Sequence, residues 1–128
     1  MMSAIKMSER TILVTGAVGF IGSFLCKRLL ETIQGINLIG IDSITDYYDV
    51  SLKEERLAML KETGQTATIS NASTFTFIKS DISDAVRVNK IFVENKPSIV
   101  VNLAAQAGVR YSITNPESYI KSNINWFL

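Results

Sequence analysis

Three glycines constrain this chain more than any other feature. Gly16, Gly19 and Gly22 are spaced three apart, where the apolar run at residues 11–15 ends and a helical pattern begins near Phe20. A turn at that junction must fold tightly, let a ligand reach the backbone, and bring helix and strand close together. Each task calls for a residue without a side chain. The helix that follows presents unpaired N–H groups at its start, which suit a pyrophosphate. Lys6 and Arg10 before the apolar residues 11–26 also outline a signal peptide or short membrane span. The glycines interrupt that outline, and the stretch falls short of the ~20 apolar residues a spanning helix needs.

Downstream the pattern alternates. Residues 11–15 read as a strand, 20–33 as a helix and 37–41 as a second strand, which together make a βαβ unit. Ser51 and Glu54 have the spacing of a capping box opening a helix over 51–61, and the polar residues 62–73 read as a loop. A third strand is expected at 75–79. Val88, Ile91 and Phe92 mark a helix over 84–95, and 99–103 form a fourth strand. Asn115 before Pro116 is a cap and first-turn pair for a last helix running to Leu128. Strands alternating with helices imply an α/β fold: a Rossmann-type, doubly wound parallel sheet of order 3-2-1-4.

Composition narrows the chemistry. With 128 residues and 47% apolar content, the chain has the size of one domain with a real core. Thirteen basic against twelve acidic residues give a charge of +1, and no basic run suggests nucleic acid as a partner. A single cysteine, Cys26, and no histidine exclude an internal disulfide and catalysis by Ser-His-Asp or Cys-His sets, and leave few metal ligands. This usage fits a reducing cytoplasm, and neither a metal nor a membrane is expected as a partner.

Asp42 follows Gly22 by 20 residues at the end of the second strand. A carboxylate there can accept hydrogen bonds from adenosine ribose hydroxyls and repel a 2′-phosphate. No arginine lies within or just after the glycine loop to offset that repulsion, so NAD is expected over NADP. The competing reading is a carboxylate that only caps a loop.

The segment TGAVGFIG, Thr15 through Gly22, resembles the TGxxGFIG loop of extended short-chain dehydrogenases/reductases, the NAD-dependent epimerase/dehydratase family. The segments DYYDVSLK at 46–53 and AAQAGVRYS at 104–112 are more selective, and are similar to those of UDP-glucuronate 4-epimerases. The resemblance covers nearly the whole chain. It implies that Phe20 and Ile21 lend backbone N–H groups to the pyrophosphate and that Asp42 holds the adenosine ribose. Ser43 stands where relatives often carry asparagine, with a shorter hydrogen-bonding arm. The resemblance further implies that Asp81 accepts from the adenine amino group and that Ile82 packs on its ring. A loop or helix cap is the alternative for Asp81. Leu103, Ala104 and Ala105 would pass beneath the ribose on the nicotinamide side. Arg110 would face the phosphates of cofactor or nucleotide sugar. Asn123 matches the asparagine of an SNxxG segment in which Trp126 replaces the glycine.

The family's reaction uses a Tyr-x-x-x-Lys pair, in which tyrosinate takes the sugar hydroxyl proton as hydride leaves C4 for NAD. Four positions after Tyr47, Tyr48, Tyr111 and Tyr119 stand Ser51, Leu52, Asn115 and Asn123, so this sequence holds no such pair and no catalytic residue is assigned. The pair and most of the sugar-binding domain are expected in a segment beyond Leu128, in a complete enzyme that acts on a UDP-sugar as a homodimer. Residues 1–128 are then the cofactor-binding part, inactive alone. Alternatives are another nucleotide-sugar dehydratase or reductase, a non-catalytic NAD-binding module, and an S-adenosylmethionine-dependent methyltransferase.

Overall fold

A computed structural model describes residues 10–44 and 50–104. The expected last helix lies outside them. Four strands, β1 (Thr11–Thr15), β2 (Asn37–Asp42), β3 (Thr74–Lys79) and β4 (Ile99–Asn102), form one parallel sheet of order β3-β2-β1-β4, the order expected. Three helices join them: α1 (Phe20–Thr32), α2 (Val50–Ser70) and α3 (Ala85–Asn95).

Strand alternation divides the core. Ile12, Val14 and Leu38 face α1 and α2, where they meet Cys26, Leu29, Leu30, Leu60 and Ala67. Leu13, Ile39, Ile41 and Val100 face the other way, onto Ile91 of α3. A strand covered on both faces must be apolar at every position, so β1 and β2 read as continuous apolar runs. The result is the doubly wound, Rossmann-type arrangement.

Two expectations are corrected. Residues 62–70 are not loop, because α2 runs on to Ser70 and only residues 71–73 connect it to β3. Leu60, Gly64 and Ala67 are buried at helical spacing, and Gly64 gives way to Phe75 of β3, whose Cβ lies 2.8 Å from where a glycine Cβ would stand. The polar residues here are used locally. Thr63, Thr68 and Ser70 donate to the carbonyls of Met59, Gly64 and Thr66 four residues back. Fully buried Ser73 receives the Ile36 N–H at 3.1 Å and donates to the Ile33 carbonyl at 3.0 Å, closing the corner between α1, α2 and the sheet. Second, α2 already includes Val50, so Ser51 lies within its first turn rather than capping it.

Remaining differences are small. β2 extends to Asp42, β3 begins at Thr74, and β4 ends at Asn102, leaving Leu103 just past the strand. Helix α3 starts as expected, its Asp84 carboxylate accepting the Arg87 N–H at 3.2 Å.

Candidate functional site

All four strands point the same way, so their C-terminal ends share one edge of the sheet, and the loops there hold most of the candidate residues. Gly16 leaves β1 with φ +69°, a left-handed conformation, and an added Cβ would lie 2.8 Å from the backbone of Leu103 and Ala104. Gly22 packs the helix against the turn: its Cβ would stand 2.0 Å from the Gly16 carbonyl oxygen. Gly19 has a different part. It is the N-cap of α1 with no side-chain cap, and a Cβ there would meet only the Gly16 oxygen, at 3.3 Å. Phe20 and Ile21, in the first turn of α1, have side chains 79% and 66% exposed. Their backbone N–H groups belong to the helix end whose donors lack intrahelical acceptors.

Asp42 ends β2 beside this turn and is only 5% exposed. Its Oδ2 accepts the Val18 N–H at 3.2 Å, from within the glycine turn. Its Oδ1 accepts the Ile44 N–H at 2.9 Å and is ion-paired at 3.0 Å with Lys53 of α2. The carboxylate therefore holds the loop together, the competing reading, at the C-terminal edge of the sheet beside the glycine turn. Ser43 follows it, half-buried.

Lys53 and Arg56 had no assigned role in the sequence reading. Arg56 Nη1 lies 3.4 Å from the Val18 carbonyl, and its guanidinium carbon sits 5.8 Å from the centre of the Phe20 ring. The glycine loop and its sequence neighbours carry no cation, yet α2 brings two there from elsewhere. Their spacing of three, which puts both on one helix face, was the available signal.

The other two strand ends are tied into the same edge. The Ser80 N–H donates to the Asp42 carbonyl at 3.0 Å, linking the ends of β3 and β2. Asp81 lies two residues past β3, exposed, and its Oδ1 accepts from the Ser83 N–H at 2.9 Å and the Ser83 hydroxyl at 2.8 Å. That is a turn-capping arrangement. Ile82 is half-buried beside it. At β4, the Thr15 hydroxyl donates to Asn102 Oδ1 and accepts the Ala104 N–H at 3.2 Å, while the Leu103 N–H donates to the Thr15 carbonyl at 3.1 Å. Leu103 and Ala104 are thereby held against Gly16. Ala105, Arg110 and Asn123 lie outside the described residues, as do Tyr47, Tyr48, Tyr111 and Tyr119.

A cavity of ≈ 380 Å³ between α1 and α2, lined in part by Lys27, Met59 and Thr66, contains none of the candidate residues. Cys26 is fully buried on the sheet-facing side of α1, and desolvation pushes its thiol up from an ordinary 9.0 to about 12, which makes it a core residue rather than a nucleophile. Among the described residues, no helix is long and apolar enough to cross a membrane.

Comparison with known proteins agrees with this fold. The family model for GDP-mannose 4,6 dehydratase matches residues 13–126. Protein CapI of Staphylococcus aureus is 52% identical over 91% of this chain and 31% of its own length. UDP-glucuronate 4-epimerase 4 of Arabidopsis thaliana is 41% identical over 92% of the chain and 24% of its own length. Among solved structures, a UDP-glucose-4-epimerase from Stenotrophomonas maltophila, with bound NAD and formylated UDP-arabinopyranose, aligns with a TM-score of 0.53 at 27% identity, over 91% of this chain and 30% of that one. The chain thus spans about a quarter to a third of the length of these relatives.

Proposed function

The chain belongs to the GDP-mannose 4,6-dehydratase family, whose members include nucleotide-sugar epimerases and dehydratases, and on that premise we propose that it is the NAD-binding part of a nucleotide-sugar 4-epimerase acting on UDP-glucuronate. The observation that carries the cofactor reading is the seating of the Asp42 carboxylate 3.2 Å from the Val18 N–H, which joins the acidic end of β2 to the glycine turn. A dinucleotide with phosphates on the α1 N-terminus and ribose toward β2 needs those two features side by side.

The residues fit NAD. The space before Gly19 is one a side chain would narrow, and the first turn of α1 offers backbone donors there. Asp42 keeps acceptor capacity, since a carboxylate has about four lone-pair positions and three donors occupy this one. Leu103 and Ala104, pinned through Thr15, would support the nicotinamide side, with Asp81 and Ile82 at the adenine. Ala105, Arg110 and Asn123 carry the roles the family resemblance gives them. Bound NAD supplies a hydride acceptor and donor for sugar C4. The proton is handled by the Tyr-x-x-x-Lys pair, which in this family lies further along the polypeptide. The choice of UDP-glucuronate rests on identities of about 40% to plant and bacterial epimerases of that specificity.

The test has two arms. Calorimetric titration of the purified protein with NAD, NADP and S-adenosylmethionine is expected to give saturable binding that favours NAD. Preference for S-adenosylmethionine overturns the cofactor reading. Supplied with UDP-glucuronate, a polypeptide that carries this segment together with the Tyr-x-x-x-Lys segment is expected to form the C4 epimer. Net oxidation at C4 with release of CO2 and accumulation of NADH instead, or turnover of a different UDP-sugar alone, overturns the assignment of reaction or substrate.

A further inference from the structure

Lys53 reaches the Asp42 carboxylate from α2 at 3.0 Å, with side chains only 13% and 3% exposed, so the pair is largely screened from solvent. In low-dielectric surroundings two such charges act on any third one nearby as a partly cancelled pair rather than as a bare anion. Asp42 is also the residue placed to meet the adenosine ribose, where NAD and NADP differ by one phosphate on the 2′ oxygen. We infer that Lys53 is a positioning residue that sets how strongly Asp42 discriminates between those two nucleotides. The inference rests on the NAD-binding reading above and adds to it the group that tunes specificity.

Three donors hold the carboxylate in place. The Val18 and Ile44 N–H groups are backbone and fixed by the turn, whereas the Lys53 ammonium is the only charged member and ends a flexible stem. When a ribose arrives, the lysine can keep its bond to Oδ1 and leave the remaining acceptor position to a hydroxyl. When a 2′-phosphate arrives, repulsion from Asp42 is offset by attraction to the ammonium next to it. Arg56, one helical turn further along the same helix, adds a second positive charge at the glycine turn, 3.4 Å from the Val18 carbonyl. A lone carboxylate in this position would exclude NADP steeply, and the pair makes the exclusion shallow.

The experiment is a comparison of NAD and NADP affinities by calorimetry for wild type, Lys53→Gln, Lys53→Arg and Asp42→Asn, each checked for folding by circular dichroism. Wild type is expected to favour NAD by about tenfold or less, and Lys53→Gln to steepen that ratio by a further ~10-fold, chiefly through lost NADP affinity. Lys53→Arg keeps the charge and is expected to retain the wild-type ratio. Asp42→Asn removes the anion and keeps the lysine, and is expected to bring the ratio to parity or invert it. Equal weakening of both nucleotides in Lys53→Gln, or a ratio unchanged within about twofold, assigns Lys53 a merely structural role and overturns the inference while leaving NAD binding intact. Failure of folded wild type to bind either nucleotide removes the cofactor reading and this inference together.

Discussion

Gly22 lies so close above Gly16 that a Cβ on it would stand 2.0 Å from the Gly16 carbonyl oxygen. Backbone cannot move aside as a flexible side chain can, so Gly22→Ala must lift α1 off the turn. The expected cost is about 3 kcal/mol, the upper part of the range for overpacking, read as a lowered urea midpoint. Gly19→Ala faces a single contact at 3.3 Å and is expected to leave the midpoint within about 1 kcal/mol of wild type. If the phosphates approach over Gly19, that variant loses NAD affinity while keeping its fold. The opposite pattern, with Gly19→Ala unfolded and Gly22→Ala sound, would contradict this division of labour.

The Thr15 hydroxyl serves two partners, donating to Asn102 Oδ1 and accepting the Ala104 N–H at 3.2 Å. Thr15→Val keeps the shape of this fully buried side chain and removes both bonds. The expected loss is about 1 kcal/mol by urea denaturation, the net worth of a typical hydrogen bond, because Asn102 and Ala104 are only half-buried and water can replace part of what is lost. Weaker NAD binding should accompany it, as Ala104 loses its tie beside Gly16 while Leu103 keeps its bond to the Thr15 carbonyl. An unchanged midpoint would show that the contact contributes nothing net.

How much of this was legible in the sequence follows from the range of each interaction. The glycine turn and the four strands are local patterns: Ile12 and Val14 alternate with Leu13 because the two faces alternate, and such periodicity needs no knowledge of what covers it. Asp42 was legible because a strand-turn-helix-strand unit fixes its distance from Gly22. The second half of α2 was not. Gly64, Thr66 and Thr68 are poor helix formers, and their helix exists because Phe75, on a strand still to come, packs over Gly64. Lys53 and Arg56 were missed for the same reason, since their contacts to Asp42 and Val18 depend on how α2 lies across the turn.

That reading of α2 has its own test at Thr66, an exposed position inside the helix. In a helix, replacing threonine by alanine relieves the χ1 restriction and is expected to raise stability by about 0.5 kcal/mol. In a loop it would do nothing measurable. Gly64→Ala separates the same alternatives with opposite sign. The usual helix gain of about 1 kcal/mol is outweighed by a Cβ set 2.8 Å from the Phe75 Cβ, so destabilisation is expected despite better propensity. Stabilisation by Gly64→Ala would mean that α2 and β3 are not packed this closely.

Cys26 makes stability depend on alkaline pH. Burial between α1, on which it lies, and the sheet raises its thiol from 9.0 to about 12, so the folded chain holds a proton that the unfolded chain releases once the pH passes 9.0. The contribution is fully present below 9.0 and is lost as the pH rises toward about 12. Over that window the unfolded state binds fewer protons, and stability should fall by up to about 1.4 kcal/mol per pH unit from this group alone. Tyrosines and lysines titrate in the same range, so the informative quantity is the difference in slope between wild type and Cys26→Ala. The variant is expected to be less stable at pH 7 through its cavity, yet to lose less with rising pH. A thiol reagent at pH 8 should leave native Cys26 unmodified and react within minutes in urea. Parallel slopes, or rapid labelling of the native protein, would mean that the thiol is far more accessible than its full burial implies.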